Sequence, residues 1–317
     1  MARKLKIEAN NSLTFKEGFE EFLDSCKARN LRPATIKHYE ESYKSIIRFV
    51  DEEMFIKDIS HKTIDKFVRD SKENLDIKSQ TLFTYTRDLK TIINYFIKLD
   101  YLNQFKIKLP EVDKAPIETY SDAELKVLLK KPDLNKVSFA QYRDWVIINF
   151  LLSTGVRLNS FINIKIKDLD FENEVVYVNV TKNRKPLIIP LNSTIIKILK
   201  DYLKIRQHQS DDEFLFCTVF GTQLSKRTIS TSLYQYNRER GVLKTGIHRY
   251  RHTFAKKFAT SNGNLAVLQK VLGHSSLLIT QSYLNMLVSD LKKEMNEFDI
   301  LNEFRNEHIK IKNRKGR

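Results

Sequence analysis

Only two cysteines, Cys26 and Cys217, occur in the 317 residues, and they lie far apart. That excludes a disulfide framework and a zinc site built on paired cysteines. No apolar run approaches the roughly 20 residues that a membrane-spanning helix requires. The opening MARKLKIEANN has no apolar segment behind its charges, so no secretory leader is expected. A cytoplasmic protein without a membrane partner is the resulting expectation. No internal repeat or low-complexity tract is visible. Acidic residues are also in deficit, 39 against 55 basic ones, which leaves a net charge of +16. Such a balance favours an anionic polymer as partner over a small metabolite. An acidic membrane surface would serve, but no amphipathic segment concentrates the charge. With 41% hydrophobic residues the chain can bury a core, as one large or two ordinary domains.

What is present reads first as helix. Thr14 and Glu17 have the spacing of a capping box, and Phe15, Phe19 and Phe22 follow on one face. Pro33 suits a first helical turn, with Ile36, Tyr39, Tyr43, Ile47 and Val50 at helical spacing behind it. Ile64, Phe67 and Val68 mark a third helix over 60–71. Leu82, Tyr85, Leu89, Ile92, Ile93 and Phe96 mark a fourth over 78–99. The stretch 106–119, KIKLPEVDKAPIET, breaks the pattern with Pro110 and Pro116 and reads as an exposed linker. The expected division is a helical bundle over 1–105, the linker, a mixed α/β domain over 120–286, and a helix with a basic tail over 287–317. The fold class is thus mainly α with a small β-sheet.

In the second domain Ser121 begins another capping box. Residues 141–152 are apolar enough for a buried helix ending near Gly155. VVYVNV and PLIIP, joined by TKNRK, read as a hairpin with a basic tip, and helices return over 193–206 and 226–238. Four short stretches draw attention for chemistry. Arg157 follows the glycine turn in GVR, where its planar fork can meet two phosphate oxygens. Lys182 and Lys185 sit on the hairpin tip. GIHRYRHTF places His248 and Arg251 three apart, on one face of a helix, while Tyr250 and Phe254 pack on another. Arg249 and His252 are left as solvated or peripheral. VLGHSSLLITQSY has His274 after a helix-ending glycine and Tyr283 nine residues later. Taken alone, HRYRH is more readily a charged helix start with satisfied histidines. A metal centre would require clustered carboxylates, and Asp168 with Asp170 is the nearest approach.

In this order, Arg157, Lys182, His248, Arg251, His274 and Tyr283 resemble the catalytic set of the tyrosine recombinase (phage integrase) family. The resemblance runs from about residue 121 to 286. The N-terminal helices are similar to that family's core-binding domain only in length and helical content. One position departs: the family commonly has Glu or Asp three residues after the first arginine, and here it is Ser160. A serine can still hydrogen-bond there.

The resemblance implies a DNA strand-cleaving and rejoining enzyme, with double-stranded DNA carrying paired sites as substrate and no cofactor. Tyr283 is the implied nucleophile, leaving DNA joined through a phosphotyrosine whose bond energy allows rejoining without ATP. Arg157 and Arg251 are candidates for the non-bridging oxygens. Lys182 is the candidate general acid for the 5′-oxygen, with Lys185 its rival; His248 accepts the tyrosine proton and His274 donates to the phosphate. Four protomers acting on two sites, and an accessory DNA-bending protein, complete the expected partners. The N-terminal stretch is too short for an additional arm-binding domain. Within the class, a mobile-element integrase is preferred to a dimer resolvase of the Xer kind. A DNA-binding regulator without turnover and a single-duplex topoisomerase remain the alternatives.

Overall fold

The computed structural model describes residues 13–112, 117–261, 264–274 and 280. Tyr283 and the expected C-terminal helix and tail lie outside the described residues. The chain divides into two compact units, Met1–Ala115 and Pro116–Arg317.

The first unit is built on α1 (Phe15–Ala28), α2 (Pro33–Ile46), α3 (His61–Asn74) and α4 (Ser79–Lys98). Each start has a local cause. Thr14 and Glu17 form the reciprocal capping box, Pro33 occupies the first turn of α2, and Ser60 caps α3. The apolar faces then close on one another: Phe15, Ile46, Phe67, Ile92, Ile93 and Phe96 are fully buried. A fully buried side chain of this kind contributes about 1.5–3 kcal/mol relative to exposure, so this face decides the fold of the unit. The stretch expected to be exposed linker is not wholly so. Ile107 is 6% exposed in the first unit's core, and Lys90 Nζ donates to its carbonyl at 3.0 Å. Prolines end helices, but they do not keep the residues beside them out of a core.

The second unit is mixed. Its helices are α5 (Asp122–Leu128), α6 (Phe139–Thr154), α7 (Leu158–Phe161), α8 (Ser193–Arg206), α9 (Lys226–Glu239), α10 (Ile247–Thr260) and α11 (Leu265–Leu272). Three strands, β1 (Leu169–Asp170), β2 (Val175–Val178) and β3 (Leu187–Pro190), form an antiparallel meander. Val175 pairs with Pro190 and Val178 with Leu187, which sets the hairpin register. Val176 and Val178 face the core while Tyr177 is exposed, the alternation of a strand wet on one side. The two-residue β1 is too short to leave a pattern in the sequence.

Helix α6 is the axis of the second unit. Its residues from Trp145 to Ile148, with Phe150 and Leu151, are all buried, so it is covered on every side and packs against α8, α9 and α10. Gly155 ends it in a left-handed conformation (φ 59°), and an added Cβ there would lie 2.4 Å from Phe254. Among the described residues no helix is long and apolar enough to cross a membrane.

Candidate phosphate site in the second unit

Two helix ends make the site. Where a helix stops, its last carbonyls have no partner inside the helix and carry the negative end of its dipole. Here those carbonyls hold arginines. Arg251, on α10, donates through Nη1 to Gly155 O at the end of α6 (2.6 Å) and through Nη2 to Leu272 O at the end of α11 (2.9 Å). Arg157 donates through Nη1 to the same Leu272 O (2.9 Å) and to Gly273 O (3.2 Å). One carbonyl thus receives both guanidiniums. Arg251 is 5% exposed, and the carbonyls offset what burying that charge costs.

Both arginines line a cavity of about 470 Å³ together with Ser160, Thr181, Asn183, Lys185 and His274. Among the described residues its wall holds no carboxylate. Helix α10 adds to the positive field. It opens at Gly246 without a side-chain cap and has no acid in its first turn.

The hydrogen bonds fix how His274 is protonated. Arginine only donates, so the 2.8 Å contact from Arg251 Nη2 makes His274 Nε2 an acceptor. Nδ1 then carries the proton and donates to Thr280 Oγ1 at 2.9 Å. Burial, and then the Arg251 and Arg157 cations, push this histidine down to about 4, which keeps the ring neutral. Nε2 in this state supports Arg251. The expected donation from His274 to a phosphate requires a different ring state or partner.

The other sequence candidates are less gathered. His248 is exposed at the start of α10, one turn before Arg251; its pKa is lowered by desolvation, then by the Arg251 and Arg157 charges. Lys182 is exposed on the β2–β3 hairpin and is not among the cavity-lining residues, whereas Lys185 is. Thr181 Oγ1 bonds Lys185 O at 2.6 Å and helps shape that turn. Ser160 is buried in the wall; among the described residues its hydroxyl makes no hydrogen bond. Arg249 is not a solvated residue: it pairs with Glu118, at the end of the expected linker, and is largely covered. His252 is half-buried. Asp168 accepts from Lys165 N and Asn179 Nδ2, both at 2.8 Å, and Asp170 accepts from the backbone of Glu172 and Asn173. These two carboxylates close turns. Thr280 was missed by sequence reasoning, and nothing about a threonine in LLITQSY marks it as a histidine's partner.

A buried arginine, a half-buried one and a neutral histidine converge on a cavity whose described wall has no carboxylate, an arrangement suited to an anion such as a phosphate. Comparison with known proteins identifies the class further. The model of the phage integrase family matches residues 121–289, more than half of the chain, and that of the phage integrase N-terminal SAM-like domain matches 14–70. The chain therefore belongs to the phage integrase family, and site-specific recombination is the activity that membership supports. Tyrosine recombinase XerA of Pyrococcus furiosus is 28% identical over 211 residues, 65% of this chain and 71% of that protein. Tyrosine recombinase XerD of Staphylococcus aureus is 30% identical over 194 residues, 60% of this chain and 65% of that one, so the match spans just under two thirds of its length. Among solved structures, the Tn1549 transposon integrase in complex with a circular intermediate DNA is similar in fold: TM-score 0.73 at 22% identity, over 90% of this chain and 100% of that one. A lambda integrase dimer bound to a COC' core site gives a TM-score of 0.69 at 15% identity, over 86% and 95% of the two chains.

Proposed function

We propose that the protein is a site-specific DNA recombinase, cleaving and rejoining strands through a 3′-phosphotyrosyl link at Tyr283. The observation that carries this reading is the pair Arg157 and Arg251 held on Leu272 O in a cavity whose described wall has no carboxylate. Two fixed cations close together stabilise an anion placed between them and, most of all, one whose charge grows during reaction. In the proposed step Tyr283 Oη attacks phosphorus and the bond to the 5′-oxygen breaks. Lys182 supplies the proton to that oxygen, with Lys185 the rival donor, and His248 accepts the tyrosine proton. His274 holds Arg251 in place. Attack by a 5′-hydroxyl on the phosphotyrosine reverses the sequence and releases Tyr283.

Duplex DNA is the proposed partner, and the first unit has a face suited to it. Gln80, Thr84, Arg87, Thr91 and Asn94 follow at three- and four-residue intervals on α4. The one acidic residue of that helix, Asp88, is buried; it accepts from Ser42 Oγ at 2.7 Å and pairs with His38 and Arg87. Arg, Gln and Asn are the side chains that pair with purine edges in the major groove. Recombination joins two duplexes, so we propose a tetramer on DNA acting in the cytoplasm, with an accessory DNA-bending protein as a further partner. An apolar groove lined by Leu125, Leu129, Leu152, Phe254 and Phe258 is the proposed seat for the apolar residues Leu287, Leu291, Met295 and Phe298, from the same or a neighbouring protomer. Integration and excision of a mobile element is the preferred role, and resolution of dimers in the manner of the Xer relatives is the second reading.

The test is covalent trapping on nicked duplexes tiled across the DNA flanking the gene, with Tyr283→Phe alongside. The expected result is an adduct with wild type only, at one short inverted repeat. Binding without any adduct would replace this reading with a DNA-binding regulator, and an adduct with Tyr283→Phe would remove Tyr283 as nucleophile.

A further inference from the structure

On a face of α10 other than the one carrying Arg251 lies a buried polar junction that the proposed chemistry does not use. At its centre is Asn237 of α9, 1% exposed. Its Nδ2 donates to Tyr120 Oη at 2.9 Å and to Lys244 O at 3.1 Å. Its Oδ1 accepts from Tyr250 Oη at 2.7 Å. The amide has only one workable orientation, because a backbone carbonyl accepts and cannot donate, so the nitrogen must face Lys244 O. One side chain therefore ties α9, the loop before α10, α10 itself and the segment entering from the linker.

Further contacts bind the same segment to α10. The Tyr120 and Tyr250 rings lie 4.9 Å apart between centroids. Tyr120 N donates to Thr253 Oγ1 at 2.9 Å, Thr253 Oγ1 donates to Arg249 O at 2.8 Å, and Arg249 pairs with Glu118. Neither Asn237, Tyr120 nor Tyr250 lines the cavity. Tyr250 nonetheless immediately precedes Arg251. Successive residues on an α-helix are about 100° apart around its axis, so locking Tyr250 on one side fixes the direction of Arg251 on the other. An apolar contact would allow the helix to roll. A buried amide with opposed donor and acceptor sides specifies one angle, since any other leaves its polar groups unsatisfied.

We propose that Asn237 is a positioning residue for strand cleavage: with Tyr120 and Tyr250 it sets the rotation of α10 and so aims Arg251, and His248 one turn earlier, at the scissile phosphate. This rests on the recombinase reading above. A displacement of about 1 Å in a positioned group can cost ~10² in rate, so a modest roll of α10 is enough to be read.

The test is a double-mutant cycle on single-turnover cleavage by the full chain, using a nicked duplex that wild type is shown to trap. Asn237→Leu keeps the branched heavy-atom shape and removes the polar junction; Tyr120→Phe removes one hydroxyl and keeps the ring, in case Asn237→Leu does not fold. Each is measured alone and with Arg251→Lys, beside the dissociation constant for the same DNA. The expected result is cleavage slowed roughly tenfold or more by either variant, with DNA affinity within about twofold. In the Arg251→Lys background the same substitution should slow cleavage less than about threefold, because the group it aims is already compromised. Equal slowing in both backgrounds would mean general loosening of the fold and would overturn the proposal, as would unchanged cleavage by both variants. Absence of any wild-type adduct would instead remove the recombinase reading, and this proposal with it.

Discussion

Replacing Gly155 with alanine should damage stability and the site together, and the structure separates the two causes. The residue has φ 59° and ψ 18°. An L residue in this left-handed region costs about 1–2 kcal/mol in backbone energy. The new Cβ would also lie 2.4 Å from Phe254 Cδ1 and 2.9 Å from Leu272 Cδ2. Leu272 is fully buried, so relief must come from moving packed neighbours, which costs a further ~1–3 kcal/mol. Gly241 is the control: its φ is 72°, and nothing lies within 4 Å of an added Cβ. Gly241→Ala therefore carries only the backbone cost. Thermal unfolding of the second unit should fall by roughly 5–15 °C for Gly155→Ala and about 2–6 °C for Gly241→Ala. Because Gly155 O holds Arg251 Nη1, covalent trapping by Gly155→Ala should also fall about tenfold at temperatures where it is folded, while Gly241→Ala keeps its activity. Equal losses of stability in the two variants would refute the packing argument, and full trapping by a folded Gly155→Ala would refute the link to Arg251.

His274 makes stability depend on pH. Its folded pKa of about 4 lies below the ordinary 6.5, so within that window the unfolded chain binds a proton that the folded chain does not, and stability falls as pH falls. At pH 5 the loss relative to pH 7 should be about 2 kcal/mol, read by urea unfolding, and His274→Asn should flatten the profile between those pH values. Of the two hairpin lysines, Lys182→Ala should slow cleavage of a normal 5′-oxygen leaving group by about 10²-fold and regain rate on a 5′-bridging sulfur, which needs no acid. Rescue of Lys185→Ala instead would transfer the acid role to the lysine that lines the cavity. Arg87→Ala should relax preference at one base pair of the site, by ~1–3 kcal/mol in competition binding with a randomised duplex. A uniform loss across all sequences would reassign Arg87 to the phosphate backbone.

Local signals carried most of the fold. The capping boxes at Thr14 and Ser121, the proline of α2 and the glycine after α6 act within four residues of themselves, so the sequence displays them directly. A third box, Ser138 with Gln141, was equally visible and places the start of α6 two residues before the apolar run suggests. Failures came where the deciding partner is distant. Ile107 is buried by helices that precede it, and Arg249 is covered by Glu118, 131 positions away. His274 shows the same limit in its chemistry: its order in the motif is plain, but its tautomer depends on Arg251 and Thr280, which no spacing rule connects to it.

The placement of the two arginines explains why residues this far apart form one site. Arg157 and Arg251 are 94 positions apart, and the one carbonyl they share belongs to a third segment, at Leu272. Each piece is an ordinary helix end with unsatisfied carbonyls, of a kind every helix possesses. Bringing the ends of α6 and α11 beside α10 turns those common orphans into a mount for two cations. The mount also sets the preference for an anion, since the helix ends fix the guanidiniums without a neutralising carboxylate in the described wall. Substituting an acid at Ser160, in that wall, would place a carboxylate within the cavity itself. Its effect on cleavage therefore separates two needs of the site: if charge balance limits it, Ser160→Asp lowers DNA affinity along with the rate. If orientation of the arginines limits it, Ser160→Asp raises the rate by anchoring them, and affinity changes little.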